Sequence, residues 1–254
     1  MLRSIKSLHG CTVAAVDGDI GHVEQAYFDD EKWGVRYLVV KTGSWFDGLH
    51  VLISPYSIRA FDRRSSAIHV DLSLQQVKDS PDIDAHKPVS RQHELDYLAY
   101  YNYPVYWNGL SLWGMGPYPV VDQREPVKRA SAVYGRAAAK AAHGAAPPDD
   151  IHLRSTTAVH GYHIEGSDGS MGHVCGYLFD DVSWVIRYLI VDVRNWLPGG
   201  REVLLSTSSV QSIDWAASTV VTVLTRAAIR GSRRYGESTV VDHDYEATRR
   251  EWAS

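Results

Sequence analysis

The sequence predicts an all-β-dominated protein made of two small antiparallel β-barrels with short appended helices. Three observations predict this fold. One segment of the chain recurs 151 residues later, apolar residues within each copy alternate with a period of two, and turn residues such as Asp-Gly separate the apolar runs. The 254 residues suit two modest domains, and a composition of 44% apolar and 22% charged residues is typical of globular proteins.

The repeat is clearest where Asp17–Val23 reappears as Asp168–Val174. The register then holds, with fourteen identities in the twenty-nine positions from 17 to 45. After one inserted residue in the second copy, Val51–Ser54 aligns with Val203–Ser206. Each copy therefore spans about 85 to 95 residues, a size at which a small domain can fold alone but remains marginal in stability.

Within the first copy, short runs rich in Val, Ile, Tyr and Phe predict six successive strands. These are Thr12–Val16, Ile20–Asp29, Val35–Lys41, Gly48–Ser54, Ile58–Asp62 and Ala67–Leu72. The most apolar runs, Val35–Val40 and Val185–Val191, indicate a central strand that is covered on both faces. A capped helix is predicted from about 91 to 102, with Ser90 as its N-cap, and Asp242 would cap the corresponding helix of the second copy.

Composition divides the chain into three parts. Residues 1–119 form a first barrel with its helix and an aromatic segment, 120–150 form a flexible linker rich in Ala, Pro and charged residues, and 151–254 form a second barrel. Tyr and Trp are enriched at protein interfaces, so the aromatic segment Tyr97–Tyr118 supplies the candidate interaction residues. They are Tyr100, Tyr101, Tyr103, Tyr106, Trp107, Trp113 and Tyr118.

Three roles for the aromatic segment remain open. It can cover its own barrel or join the two copies, it can mediate dimerisation, or it can bind a foreign partner. Inside the predicted central strands, Arg36 and Arg187 recur at the same position of the repeat. We expect each to form a structural ion pair with the acidic residues of the preceding turn, such as Asp29 or Asp30.

Several motifs of the first copy resemble those of the PRC-barrel family. They are Asp-Gly-Asp-Ile-Gly-His-Val from Asp17, Phe-Asp-Asp from Phe28, Trp-Gly-Val-Arg-Tyr-Leu-Val-Val from Trp33 and Val-Leu-Ile-Ser-Pro from Val51. The likeness covers about residues 5 to 110 and, more weakly, 155 to 252. The family includes the cytoplasmic domain of the photosynthetic reaction centre H subunit and the C-terminal domain of the ribosome maturation factor RimM. The resemblance implies a bacterial β-barrel that is used for docking and has no catalytic site.

Other classes of function are disfavoured by the sequence. The formal net charge of −4 argues against nucleic-acid binding, and no apolar stretch approaches the roughly 18 residues that span a bilayer. Because no apolar signal segment begins the chain, we expect a cytoplasmic protein. His22 and His173 share a repeat position, but no second metal ligand recurs at a fixed spacing. No catalytic residue, metal or cofactor is therefore predicted.

The sequence leads to a non-enzymatic interaction or adaptor module that self-associates into a homo-oligomer, with an unidentified protein partner. Two alternatives stand beside it. One is a component linked to a photosynthetic reaction centre or to ribosome maturation. The other is an enzyme or small-ligand sensor that uses a cleft between the two copies, since clefts between domains are common ligand sites.

Overall fold

The computed structural model describes residues 1–62, 64–81, 89, 91–107, 109–114, 116–120, 153–193 and 201–236. They form two seven-stranded sheets with few helices, which confirms that β-structure dominates the fold. The chain divides into two compact units. The first unit is Leu8–Ser155, and the second unit combines Met1–Ser7 with Thr156–Ser254.

Strands make up most of the regular structure in both units. In chain order they are β1 (Leu2–Ser4), β2 (Thr12–Ala14), β3 (Asp19–Asp29), β4 (Val35–Thr42), β5 (His50–Ile53), β6 (Ile58–Asp62), β7 (Ala67–Val70), β8 (Leu153–Ser155), β9 (His163–Gly166), β10 (Gly169–Asp180), β11 (Ile186–Asp192), β12 (Glu202–Ser206), β13 (Val210–Asp214) and β14 (Thr219–Thr222). The α-helices are α1 (Leu74–Lys78), α2 (Arg91–Tyr101), α3 (Thr156–Val159) and α4 (Arg226–Gly231). Short 3-10 turns lie at Ile5–Leu8, Ser44–Phe46, Pro55–Ser57 and Thr207–Ser209.

The two sheets have the same topology. Strand order is β5-β4-β3-β2-β7-β6 in the first unit and β12-β11-β10-β9-β14-β13 in the second. Neighbours are antiparallel except for the parallel pairs β2–β7 and β9–β14. All six strands predicted for the first copy are present, and the repeat found in the sequence is thereby confirmed as a repeat of structure.

The seventh strand of each sheet comes from outside the repeat that forms the rest of it. Strand β8 pairs with β3 in the first unit, and β1 pairs with β10 in the second. The predicted division at 1–119 and 151–254 therefore differs from the units at both boundaries. Residues Met1–Ser7 belong with the second copy, and Leu153–Ser155 belong with the first.

The core of the first unit is centred on β3 and β4. From Val35 to Val40 every residue of β4 is buried, as predicted for a strand that is covered on both faces. Gly21 of β3 is required by this close packing, because a Cβ there would lie 1.9 Å from the carbonyl oxygen of Lys41. At the equivalent Gly172 of β10, a Cβ would lie 2.4 Å from the carbonyl oxygen of Asp192.

The helical predictions are tested only in part. Helix α2 ends at Tyr101, followed by Asn102 in a left-handed conformation, close to the predicted end at 102. The helix expected after Asp242 and the linker 120–150, apart from Val120, lie outside the described residues. In the part of the chain that the structure describes, no helix is long and apolar enough to cross a membrane.

Candidate functional site

The aromatic segment packs onto the first unit. Tyr97 and Tyr106 join the core residues Tyr37, Val39 and Leu52 in one hydrophobic cluster. Tyr106 is 3% exposed and Trp113 is 2% exposed. Part of the segment therefore covers its own unit, which is the intramolecular role left open by the sequence.

A buried arginine, Arg36, contacts the aromatic residues that cover the first unit. The Arg36 side chain is almost fully buried and donates from Nε to Oδ2 of Asp29 at 2.6 Å. Its guanidinium carbon lies 3.8 Å from the ring centroid of Tyr106 and 4.6 Å from that of Trp113. The ion pair and the two ring faces together compensate the guanidinium for its lost hydration.

Glu94 adds a second buried carboxylate to the group formed by Arg36, Tyr106 and Trp113. The hydroxyl of Tyr106 donates to Oε1 of Glu94 at 2.6 Å, and Glu94 is fully buried. Burial and the nearby Glu94 carboxylate raise the pKa of Tyr106 and of Tyr37 well above the ordinary value. Both phenols therefore remain protonated, and we assign this group a structural role.

The ion pair expected of the repeated arginines forms in one unit of the two. It is present at Arg36, as predicted. Arg187 is only partly buried, and no ion pair to it occurs within the described residues. The equivalent carboxylate, Asp180, instead accepts hydrogen bonds at Oδ1 from the backbone N–H groups of Val182 and Ser183.

An open cleft of about 410 Å³ lies on the first unit and is partly lined by the aromatic segment. Four tyrosines and several polar side chains form its walls. Its lining consists of Tyr56, Ser57, Asp71, Leu72, Gln76, Tyr100, Tyr101, Asn102 and Tyr103. A volume of this size falls within the roughly 300 to 1,000 Å³ that is typical of small-molecule pockets.

The tyrosines of the cleft are held in fixed positions by one another. The rings of Tyr101 and Tyr103 are stacked, with centroids 5.4 Å apart and an angle of 13° between their planes. Tyr56 packs against Tyr103 at 5.2 Å. The hydroxyl of Tyr100 donates to the carbonyl oxygen of Gln76 at 3.0 Å, which fastens the end of α2 to α1. The cleft is thus a preorganised aromatic surface.

The hydroxyl groups of the cleft are neutral over the physiological pH range. Burial raises the pKa of Tyr101 to about 12, and burial also raises the pKa of Tyr56 and of Tyr103. These groups can donate and accept hydrogen bonds but are poorly suited to proton transfer near neutrality. The chemistry that the cleft offers is recognition.

Three residues of the cleft lining are not repeated in the sequence of the second copy. At the spacing of 152 residues, Tyr56 aligns with Ser208, Asp71 with Val223 and Gln76 with Ala228. Leu72 is matched by Leu224. Tyr56 and Asp71 are therefore specific to the first copy, whereas the apolar residue at position 72 is shared.

The predicted interaction residues fall into three places. Tyr100, Tyr101 and Tyr103 line the cleft. Tyr106 and Trp113 are buried against Arg36, and Trp107 packs partly buried beside them. Tyr118 is exposed, outside the cleft lining. Sequence reasoning missed Tyr56, Asp71 and Gln76, although each differs between the two copies and that difference was visible.

The repeated histidines lie on strands. His22 is exposed, and one of its ring nitrogens lies 3.5 Å from Oγ1 of Thr12. His173 lies 3.9 Å from Oδ2 of Asp192. Among the residues that the structure describes, no three His, Cys, Asp or Glu side chains converge in a way that could hold a metal ion.

No family profile matches the chain, and no curated protein matches it at a significant level. Function is therefore inferred from the geometry of the cleft and of the two sheets.

Proposed function

We propose that the chain is a non-enzymatic tandem PRC-barrel protein of the bacterial cytoplasm that acts as an interaction or adaptor module. The tyrosine-lined cleft of the first unit is the observation that carries this proposal. Rigid aromatic side chains with neutral polar tips are the groups on which protein interfaces most often depend. In this proposal the cleft binds a segment of a partner protein.

The barrel assignment is supported by the connection between the two ends of each sheet. Strands β5 and β6 terminate the pairing path of the first unit, yet only the short turn at Pro55–Ser57 separates them along the chain. Thr207–Ser209 joins β12 to β13 in the same way. Two sheet ends joined by so short a turn require a strongly curled sheet.

The shape and charge of the cleft favour an extended, proline-containing segment with a basic residue. The tyrosine side chains give the cleft an aromatic lining, the kind of surface on which polyproline II segments dock. Asp71 lies in the wall, and Asp79 is close enough to Tyr100 to add to the effect of burial in raising the pKa of that phenol. Arg59 pairs with Asp71 on the surface, where such pairs are weak and a basic ligand can compete.

Peptide binding to the full-length chain tests this proposal. The probe is a fluorescently labelled polyproline peptide that ends in two arginines, compared with the same peptide ending in two glutamates. We expect the arginine form to bind more tightly, Tyr100→Ala to weaken binding by about tenfold, and Asp71→Asn to remove the preference for arginine.

Tyr118→Ala is the matched control, because Tyr118 belongs to the same aromatic segment and is exposed outside the cleft. It should bind the peptide as the natural chain does. Equal affinity of the natural chain and Tyr100→Ala would contradict the proposed function. So would failure of both peptides to bind at millimolar concentration.

A further inference from the structure

The seventh strand of each sheet is the same tripeptide. Leu2–Ser4 and Leu153–Ser155 both read Leu-Arg-Ser and stand 151 residues apart, the spacing of the repeat itself. Each immediately precedes the repeat whose sheet it does not join. The tripeptide therefore belongs to the repeat in sequence but is exchanged in structure.

The two docking edges pair with the tripeptide in the same register. In the first unit, Arg154 stands opposite Phe28. In the second, Arg3 stands opposite Phe179. Each arginine also pairs with the second aspartate of an Asp-Asp turn. In the first unit, Leu153 also lies opposite Asp29 and Ser155 opposite Tyr27. In the second unit, Leu2 lies opposite Asp180 and Ser4 opposite Leu178.

The ion pairs have closely similar geometry. Nε of Arg154 lies 3.2 Å from Oδ2 of Asp30, and Nε of Arg3 lies 3.0 Å from Oδ2 of Asp181. All four side chains are partly buried. Backbone pairing, the opposing phenylalanine and the charge partner are thus the same at both edges, and these contacts do not select one tripeptide over the other. Each edge adds one contact of its own: Ser155 donates to Gln25 in the first unit, and the N-terminal amine of Met1 pairs with Asp181 in the second.

We propose that these edges are self-association sites whose occupant can be the Leu-Arg-Ser segment of a second copy of this chain. An exchanged strand makes the same contacts whether it arrives from its own chain or from another, which is the basis of domain swapping. Within one chain the tether raises the effective concentration and favours the internal pairing. A second copy supplies the strand when the internal pairing is weakened or the protein is concentrated.

This inference extends the self-association expected of the proposed interaction module, and it involves none of the residues that line the cleft. Failure of the exchange would leave the peptide-binding test unaffected. Failure of peptide binding would likewise leave the exchange to be judged by its own experiment.

Charge complementation between two full-length variants tests the exchange. In Asp30→Arg the edge repels its own Arg154, and in Arg154→Asp the tripeptide repels its own Asp30. When the two variants are mixed, a reciprocal dimer restores the natural ion pair at one edge and its reversed form at the other. We expect a species of twice the chain's 28.4 kDa in light scattering after chromatography.

The mixture should contain about tenfold more dimer than either variant alone at equal concentration, because both repulsions are relieved only in the mixed dimer. Glu24→Lys and Lys41→Glu form the matched control. They reverse an exposed ion pair, 3.8 Å long, that also involves β3 but lies within one repeat. Mixing these two should produce no additional dimer.

A second measurement applies if the charge variants fold poorly, which circular dichroism would reveal. The natural chain is prepared in isotopically heavy and light forms, unfolded together in urea and refolded at high concentration. Native mass spectrometry should then find dimers with one heavy and one light chain. A mixture of folded charge variants without extra dimer, or refolded natural chain without mixed dimers, would overturn the proposal.

Discussion

Replacement of Arg36 by leucine should destabilise the first unit strongly. Arg36 is 1% exposed and its partner Asp29 is 4% exposed, so the substitution leaves a buried carboxylate without its cation. Removing one member of a buried ion pair typically costs about 3 to 5 kcal/mol. Loss of the contacts with the faces of Tyr106 and Trp113 adds about 0.5 to 2 kcal/mol. The total of about 3.5 to 7 kcal/mol would be exceptionally large for a single substitution.

The repeat supplies the control, because Arg187 occupies the same position in the second unit. Arg187 is partly buried and, within the described residues, takes part in no ion pair. Arg187→Leu should therefore cost less than about 1 kcal/mol. Adding Asp29→Asn to Arg36→Leu should recover part of the lost stability, since it removes the buried charge that the first substitution leaves unpaired.

Hydrogen exchange measured by mass spectrometry is the appropriate assay, because two units can unfold separately and one global transition would mix their stabilities. Peptides from β4 report on the first unit and peptides from β11 report on the second. We expect Arg36→Leu to accelerate exchange in β4 and leave β11 unchanged. Equal losses in the two variants, or a loss below about 1 kcal/mol for Arg36→Leu, would refute the assigned role of the ion pair.

Alkaline pH and glycine substitution give two further tests. Because folding raises the pKa of Tyr37, Tyr97 and Tyr106 above 10.0, the folded state retains protons that the unfolded state has lost. Above pH 10.0, the free energy of unfolding of the first unit should fall by about 1.4 kcal/mol per pH unit for each such tyrosine. Tyrosinate absorbance and circular dichroism measure this loss. Gly21→Ala should cost several kcal/mol in urea unfolding because of the backbone clash, whereas Gly231→Ala, which meets no atom within 4 Å, should be nearly neutral.

Much of the framework could be predicted because its signals are local. Alternating apolar residues indicated the six strands of the first copy, and the Asp-Gly turn placed β2 beside β3. The pairing of Arg36 with Asp29 could also be anticipated, since both residues lie on adjacent strands around one turn. These relations span few residues, so the pattern itself contains the information.

The strand exchange and the cleft depend on relations that no local pattern contains. A tripeptide is too short to stand out as a predicted strand, and nothing in Leu153–Ser155 indicates which sheet it joins. The cleft brings Tyr56 and Asp71 against Tyr100 and Tyr103 from distant parts of the chain. Aromatic enrichment correctly marked the segment as an element that packs or binds, but packing around Arg36 decides which of its rings are buried.

Comparison of the two copies separates the framework from the specific site. The tripeptide, its opposing phenylalanine and its aspartate partner are the same at both edges, which is expected if each sheet needs the exchanged strand to satisfy the exposed backbone groups of β3 or β10. The cleft residues differ between copies at Tyr56 and Asp71, so the fold does not require them. Substitutions at the docking edge should therefore alter stability and oligomeric state together, whereas Tyr100→Ala should weaken binding and leave the oligomeric state unchanged.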